Sequence, residues 1–424
     1  MTILRSNTRP PRRQTPPTPR ANARRRGACP SLAAPMDTGD GLLVRLTPRS
    51  GAFTTAQLAA LADAAQAHGN GLLEISARGN LQIRGVRPDT LAPLRDAVNA
   101  AGIAPREGVP IDINPLSGAD RDPLLTGADR DPLLTDDPAP LAAALRARLR
   151  DEDWPDSLGP KVAVVIDGGG RFDLAALLAD VRLDALGGGL WQVALAGRRA
   201  DATPLGRGTA QQAVGTAAAV LRAIAARGPH ARARDLDAAD LVGSLSPAAP
   251  LPSLERAPAV GLFPLTAGTA ATLALPFGAV GSDTLAALIS AAEQFGGRSL
   301  VPASGRRLIV PFADADAAAA FMDGARDGCF VVDPADARLA ICVCAGRPAC
   351  ASAFIDARGI ANRLAAAMPS LAGPIHISGC VKGCARPGTP VAELIGTEAG
   401  VQITAGDPAL KTALAAAAAP EIFA

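Results

Sequence analysis

The chain has 424 residues and a net charge of +2, too near neutral for a nucleic-acid binder as a whole. It is long enough for two to four domains with real cores, and although 48% of it is hydrophobic it holds no run of 18 uncharged apolar residues, so no segment is expected to span a membrane. Tyrosine is absent and aromatics make up 3%, which leaves little for base stacking, and seven cysteines fit a reducing, cytoplasmic setting better than a disulfide scaffold.

Residues 1–38 form a tail and lead-in segment. The stretch to about residue 26 is rich in Arg and Pro, has no apolar periodicity and is expected to be disordered. No apolar stretch follows Arg12-Arg13 or the Arg24–Arg26 run, which argues against an export signal. Only Lys161, Lys382 and Lys411 are lysines, leaving 39 arginines, so arginine content alone carries little argument.

From Gly39 the pattern becomes regular. GDGLLVRLTP alternates as a strand, TTAQLAALADAAQAHG is an amphipathic helix, GLLEISARGNLQIRGV is a strand pair, and PDTLAPLRDAVNAAG is a helix. This β-α-β-β-α order predicts a ferredoxin-like half-domain over 39–115. Residues 116–148 read as a linker in which GADRDPLLT occurs twice in tandem (118–126 and 127–135), the mark of slippage in a tolerant surface loop. An α/β domain is expected over 149–248: the strands KVAVVIDGG and LWQVALAG flank a helix DLAALLADV, and the helix AQQAVGTAAAVLRAIAARG follows.

Laying Gly51 on Gly278 aligns GAFTTAQLAALADAAQAHGNGLLEISARGNLQI with GAVGSDTLAALISAAEQFGGRSLVPASGRRLIV without a gap. In that register Leu58/Leu285, Leu61/Leu288, Gly69/Gly296, Leu73/Leu300 and Leu81/Leu308 also coincide. This implies duplication, with a second half-domain at 249–330 and a second α/β domain at 331–424. The fold class expected is α+β, in two pseudo-symmetric halves enclosing a shared cleft.

The last domain holds Cys344, Cys350, Cys380 and Cys384, spaced C-x5-C and then C-x3-C, with the stretch 351–379 between the pairs. Two close pairs of thiolates suit a metal or iron–sulfur centre, each short loop wrapping one side of it while the long gap lets a helix pass between. Buried free thiols and a zinc site are the alternatives; zinc pairs favour spacings of two to four, which x5 does not meet. Small flanking residues such as Ala345, Gly346, Gly379 and Gly383 would let backbone N–H groups approach the sulfurs. Cys342 reads as a strand-packed thiol, and Cys29 and Cys329 have no partner pattern. His376, on the strand PIHIS, is weighed as an iron ligand against an ordinary structural histidine; His68 closes a helix, where it complements the dipole.

SARGNLQIRG places Arg78, Asn80, Gln82 and Arg84 at alternate positions, one face of a single strand, and Arg45 on LLVRL joins them. Such a row of guanidinium and amide groups suits a polycarboxylate; a solvated strand face is the plainer alternative.

Across residues 39 to about 400, the cysteine spacing placed after a duplicated half-domain with a cysteine-free first α/β domain resembles the nitrite and sulfite reductase family. The wording CAGRPACASA, SGCVKGCARP and GACPSLAAPMDTGDGLLVRL looks most like the branch of that family that makes precorrin-3B in oxygen-dependent cobalamin biosynthesis. The resemblance implies a monooxygenase-type oxidoreductase that hydroxylates precorrin-3A with dioxygen and closes a lactone from a ring acetate. It implies a [4Fe–4S] cluster on the four cysteines, a mononuclear non-haem iron, and Arg45, Arg78, Asn80, Gln82 and Arg84 as substrate contacts. Cys384 matches the position that bridges to the haem iron in sirohaem enzymes.

Sirohaem reductases of the family carry a Lys-x-Lys pair where this chain reads SLGPKVAVVIDGG, with Lys161 alone. A site gripping sulfite or nitrite needs more local positive charge. This departure favours a tetrapyrrole as substrate over sirohaem-dependent nitrite or sulfite reduction, the alternative function; an iron–sulfur electron carrier is a third reading. Gly168–Gly170 and Gly187–Gly189 do not form G-x-G-x-x-G, so reductant is expected from NADH bound otherwise or from a separate electron donor, with no nucleic-acid or membrane partner.

Overall fold

The computed structural model describes residues 31–117, 125, 129–254, 257–388 and 390–422. The Arg/Pro-rich stretch through residue 30, Cys29 and most of the first nine-residue repeat lie outside the described residues.

The first half-domain runs β1 (Met36–Thr38), β2 (Gly41–Leu46), β3 (Phe53–Thr54), α1 (Thr55–His68), β4 (Leu72–Ile75), β5 (Leu81–Val86) and α2 (Leu91–Ala100). Helix α1 starts where it does because Thr54 and Gln57 form a capping box: Gln57 N–H donates to Thr54 Oγ1 (3.0 Å) and Thr54 N–H to Gln57 Oε1 (3.1 Å). Leu58, Leu61, Ala62 and Ala65 form its buried stripe.

The first α/β domain consists of β6 (Ile111–Ile113), α3 (Ala139–Arg150), β7 (Val164–Asp167), β8 (Ala179–Gly187), β9 (Leu190–Gly197), β10 (Thr203–Thr209) and α4 (Ala210–Ala226). The second half-domain repeats the first as β11 (Gly261–Leu265), β12 (Gly268–Ala274), β13 (Ala279–Gly281), α5 (Ser282–Gln294), β14 (Ser299–Ala303), β15 (Arg307–Phe312) and α6 (Ala315–Asp327). The last domain is β16 (Ile341–Val343), α7 (Ala357–Ala367), β17 (Ile375–Ser378), β18 (Ala392–Thr397), β19 (Gly400–Ala405) and α8 (Pro408–Ile422).

The two half-domains exchange strands. One sheet has the order β1-β2-β5-β4-β13 and the other β11-β12-β15-β14-β3, so each is completed by the short strand that precedes the other copy's first helix. Leu58 and Leu61 of α1 and Leu285 and Leu288 of α5 share one hydrophobic core with both sheets. The α/β domains also correspond: β6, β7 and β8 are parallel with β9 antiparallel, as β16, β17 and β18 are parallel with β19 antiparallel.

Three expectations differ in detail. DLAALLADV is not a helix: Asp167 Oδ2 accepts from Leu174 N–H (3.0 Å), Arg182 Nη1 donates to the carbonyls of Leu174 (3.3 Å) and Leu177 (2.9 Å), and β8 begins at Ala179, parallel to β7. Side chains thus satisfy the backbone that a helix would have satisfied. The segment 116–148 contributes helix α3 and the core residue Leu116, and β6, within the stretch read as half-domain, pairs with β7 instead. Finally, SARGNLQIRG is not one strand, because a turn closed by Gly79 N–H to Ser76 O (2.9 Å) precedes β5.

Candidate functional site

Strands β16 and β17 are parallel, so the loops after them leave the same edge of the sheet, and those loops carry the four cysteines. Cys344 follows β16. Cys350 N–H donates to Gly346 O (2.8 Å), which curls the first loop, and Gly346 (φ +66°) packs where a Cβ would stand 2.6 Å from Ala357 N at the start of α7. Ser378 ends β17; its hydroxyl donates to Cys380 O (2.7 Å), and Gly379 N–H donates to Cys344 Sγ (3.1 Å). Cys380 is buried and Cys384 faces outward. Partial burial pushes the Cys384 thiol up, the Cys344, Cys380 and Cys350 thiols add to the rise, and Lys382 opposes it, so the other three thiols act electrostatically on Cys384.

The set fits an iron–sulfur cluster: four thiols, small neighbours, and an N–H already donated to one sulfur. Among the described residues no three or more His, Cys, Asp or Glu side chains gather closely enough to share one metal ion, so a mononuclear iron finds no ready ligand set there. His376 is fully buried, and its Nδ1 lies 2.9 Å from Glu393 Oε1, while Arg386 Nη2 donates to Glu393 Oε2 (2.8 Å). Cys342 sits on β16, where it is partly buried.

The first half-domain reaches this loop through Gly39. Ala351 N–H donates to Gly39 O (2.9 Å), and a Cβ on Gly39 would fall 2.5 Å from Cys350 Sγ, so only glycine permits this approach. The adjacent Asp40 accepts from Arg84 Nε (2.8 Å) and Nη2 (2.6 Å), and Glu74 accepts from Arg84 Nη1 (3.2 Å) and from Arg358 Nη2 (2.5 Å) on α7. Burial works to lower the Arg84 pKa, but Asp40 and Glu74 more than offset it and hold the group protonated. With its amide oxygen turned toward Arg45, Gln82 accepts from Nε (3.2 Å) and Nη2 (3.0 Å). Arg45, Glu74, Gln82 and Arg84 therefore share one face of the sheet, opposite Leu81 and Ile83 in the core, and Arg358 ties that face to the cysteine domain.

Arg78 and Asn80 stand apart from that face, in the β4–β5 turn. Arg78 donates through Nε to Asp112 (2.9 Å), pairs with the same carboxylate through Nη2, and donates through Nη1 to Leu178 O (2.7 Å). Asn80 Oδ1 accepts from Thr47 Oγ1 (2.5 Å). Both line a cavity of about 110 Å³ that also draws on Arg49, Arg106 and Arg146. Sequence reasoning missed these three arginines, which come from separate segments, and it missed Asp40, Glu74 and Arg358. Glu74 was the legible one, a lone charge between Leu73 and Ile75 on an alternating strand.

The duplicated face has a different fate. In the register that lays Gly51 on Gly278, Arg45, Glu74, Gln82 and Arg84 become Thr272, Val301, Ile309 and Pro311. Against that second face pack Leu116, Leu125, Phe172 and Phe263, the two rings edge to face at 5.7 Å. One face is polar and joined to the cysteine domain; the other is sealed with hydrocarbon.

Residues 34–101 match the family model described as "Nitrite/Sulfite reductase ferredoxin-like half domain". Among solved structures, that of the Mycobacterium tuberculosis NirA protein aligns at a TM-score of 0.64 and 17% identity, covering 85% of this chain and 73% of that one, which shows the shared fold. A Sinorhizobium sp protein named "Precorrin-3B synthase" is 38% identical over 391 residues, 89% of this chain and 82% of the relative. Similarity of that extent places the chain in the precorrin-3B synthase family, built on the nitrite/sulfite reductase half-domain fold.

Proposed function

We propose that the chain is an enzyme of cobalamin biosynthesis that hydroxylates precorrin-3A with dioxygen and closes a lactone from a ring acetate, giving precorrin-3B. The observation that carries this reading is the 38% identity to a protein named for that product, sustained over nearly the whole chain. One oxygen atom of dioxygen enters the ring and the other leaves as water, so a reductant such as NADH or a separate electron donor supplies two electrons, and the two protons that balance them come from the reductant and solvent. A [4Fe–4S] cluster on Cys344, Cys350, Cys380 and Cys384 would supply one-electron redox chemistry at the edge of the site.

The remaining work falls to the chain itself. Arg45, Gln82 and Arg84 form a guanidinium and amide floor suited to the carboxylate fringe of the macrocycle, and Arg78 and Asn80 extend it at one end. Asp40 and Glu74 fix Arg84 in a single orientation, so its ordering is complete before substrate arrives. The Gly39–Cys350 contact brings the floor against the cysteine loop, and Phe172 and Phe263 close the duplicate face, leaving one face for one ring.

The test is anaerobic purification with iron and sulfide quantitation and a pigment spectrum, followed by precorrin-3A, isotopically labelled dioxygen and reductant. The expected result is protein without a sirohaem band and a product heavier by one labelled oxygen atom. A sirohaem band with turnover of nitrite or sulfite overturns the proposal.

A further inference from the structure

The cavity at the β4–β5 turn has a charge imbalance that the floor of the proposed site lacks. Among the described residues that line it, Arg49, Arg78, Arg106 and Arg146 face a single acid, Asp112, and Arg78 already occupies that carboxylate. Arg106 Nη1 and Arg146 Nη2 both donate to one acceptor, the carbonyl of Ile111, at 3.1 Å each. Two guanidiniums from different segments share one carbonyl lone-pair region, and among the described residues Asp112 is the acid that acts on both. Burial pushes Arg146 down to about 10, the neighbouring Arg106 adds to the fall, and Asp112 only partly opposes it. Arg106 is lowered by burial as well, against the same carboxylate. An under-compensated cluster of half-buried cations is costly to hold unless an anion joins it.

The geometry says which anion. The cavity, about 110 Å³, has room for a side arm but not for a tetrapyrrole ring. Asn80, which lines it, stands just before β5, four residues from Arg84 at the cysteine end, a span of roughly 13 Å at the usual strand rise. A ring lying on the Arg45–Gln82–Arg84 floor would therefore bring its far edge toward the end of β5 at which this cavity lies.

We propose that this cavity is a receptor for one carboxylate arm of the macrocyclic substrate, with Arg106 and Arg146 as the paired donors that grip it. The assignment rests on the macrocycle reading above. The bound carboxylate takes N–H groups that now converge on Ile111 O, and it fixes which way round the ring sits on the floor. A fork from each guanidinium gives the planar, two-point recognition that a carboxylate needs.

The experiment measures binding of uroporphyrin III, an octacarboxylate macrocycle, to the purified protein, with its octamethyl ester and sodium acetate as comparison probes. Arg106→Gln and Arg146→Gln are each expected to weaken uroporphyrin binding ten- to hundredfold, Arg146→Lys to recover part of the loss, and the ester to bind no variant. A measurement on the unaltered protein guards against misfolded variants: uroporphyrin should slow modification of Arg146 by phenylglyoxal, read by peptide mass. Folded variants with unchanged affinity, or equal labelling of Arg146 with and without uroporphyrin, overturn the assignment. So does acetate protecting Arg146 fully while uroporphyrin does not, which would make the cavity a site for a free anion. Protection of Arg146 without turnover of precorrin-3A would keep the receptor and remove the proposed reaction; turnover with Arg146 unprotected would do the reverse.

Discussion

At Arg84 three charged groups meet inside the protein, with side-chain exposures of 10% for the arginine, 5% for Asp40 and 15% for Glu74. Removing Arg84 leaves Asp40 buried without its counter-charge, while Glu74 keeps Arg358, so Arg84→Ala is expected to lower stability by about 3–5 kcal/mol in urea denaturation. A loss below about 1 kcal/mol would mean that water replaces the guanidinium. Glu393 offers a test by pH. Against the upward push of burial, the bonds from His376 and Arg386 hold its carboxyl below the ordinary value of 4.5. A depressed carboxyl contributes stability above its unfolded pKa and loses it as pH falls through the folded one. Glu393→Gln should therefore flatten the decline in stability below pH 4.5, followed by acid unfolding. Alternation alone made Arg45, Gln82 and Arg84 legible as one face. It misled for Arg78 and Asn80, because Gly79 at φ +80° turns the chain before the strand starts. The acids that hold Arg84 come from β4 and from the β1–β2 turn, pairings that only the folded sheet reveals.

Helices α1 and α5 are counterparts, yet only one is capped. Thr54 caps α1 through its hydroxyl, whereas the matching position is Gly281, at φ −72° and ψ 152°, with no side chain to accept from the first turn and open space where a Cβ would stand. Gly281→Ser is expected to stabilise the fold by about 0.5–1 kcal/mol, through the new cap and a less flexible unfolded chain, checked as a rise in thermal midpoint. The long helices and the β4–β5 hairpin are legible because their periodicity is local. Strands β3 and β13, two and three residues long, are not, since nothing in so short a run shows alternation and the partner of each lies in the other copy. DLAALLADV reads as a helix by composition, and tertiary demand overrides it: Arg182, fully buried, needs the Leu174 and Leu177 carbonyls that a helix would have consumed.

For the whole molecule, the duplication is legible because one ungapped register, Gly51 on Gly278, runs through Gly, Leu and strand positions alike, and the same register locates the strands that cross between the copies. It also exposes the asymmetry of the two faces, once each position is compared for polarity as well as identity. The exchanged strands make the halves interdependent. Residues 1–248 produced alone should associate or precipitate through the bare edge of β4, and co-production with residues 249–424 should restore a soluble complex on size exclusion. A monodisperse, folded first half would show that β13 is dispensable. The same exchange sets a clock on synthesis. The edge of β4, finished at Ile75, waits for Gly281, about 200 residues later, which at ribosomal rates is roughly 10 to 40 s. During that interval the nascent chain carries an open edge beside an unfinished core, so the demand for chaperone binding should peak while the ribosome is translating the first α/β domain, and slower codons there would prolong the exposure.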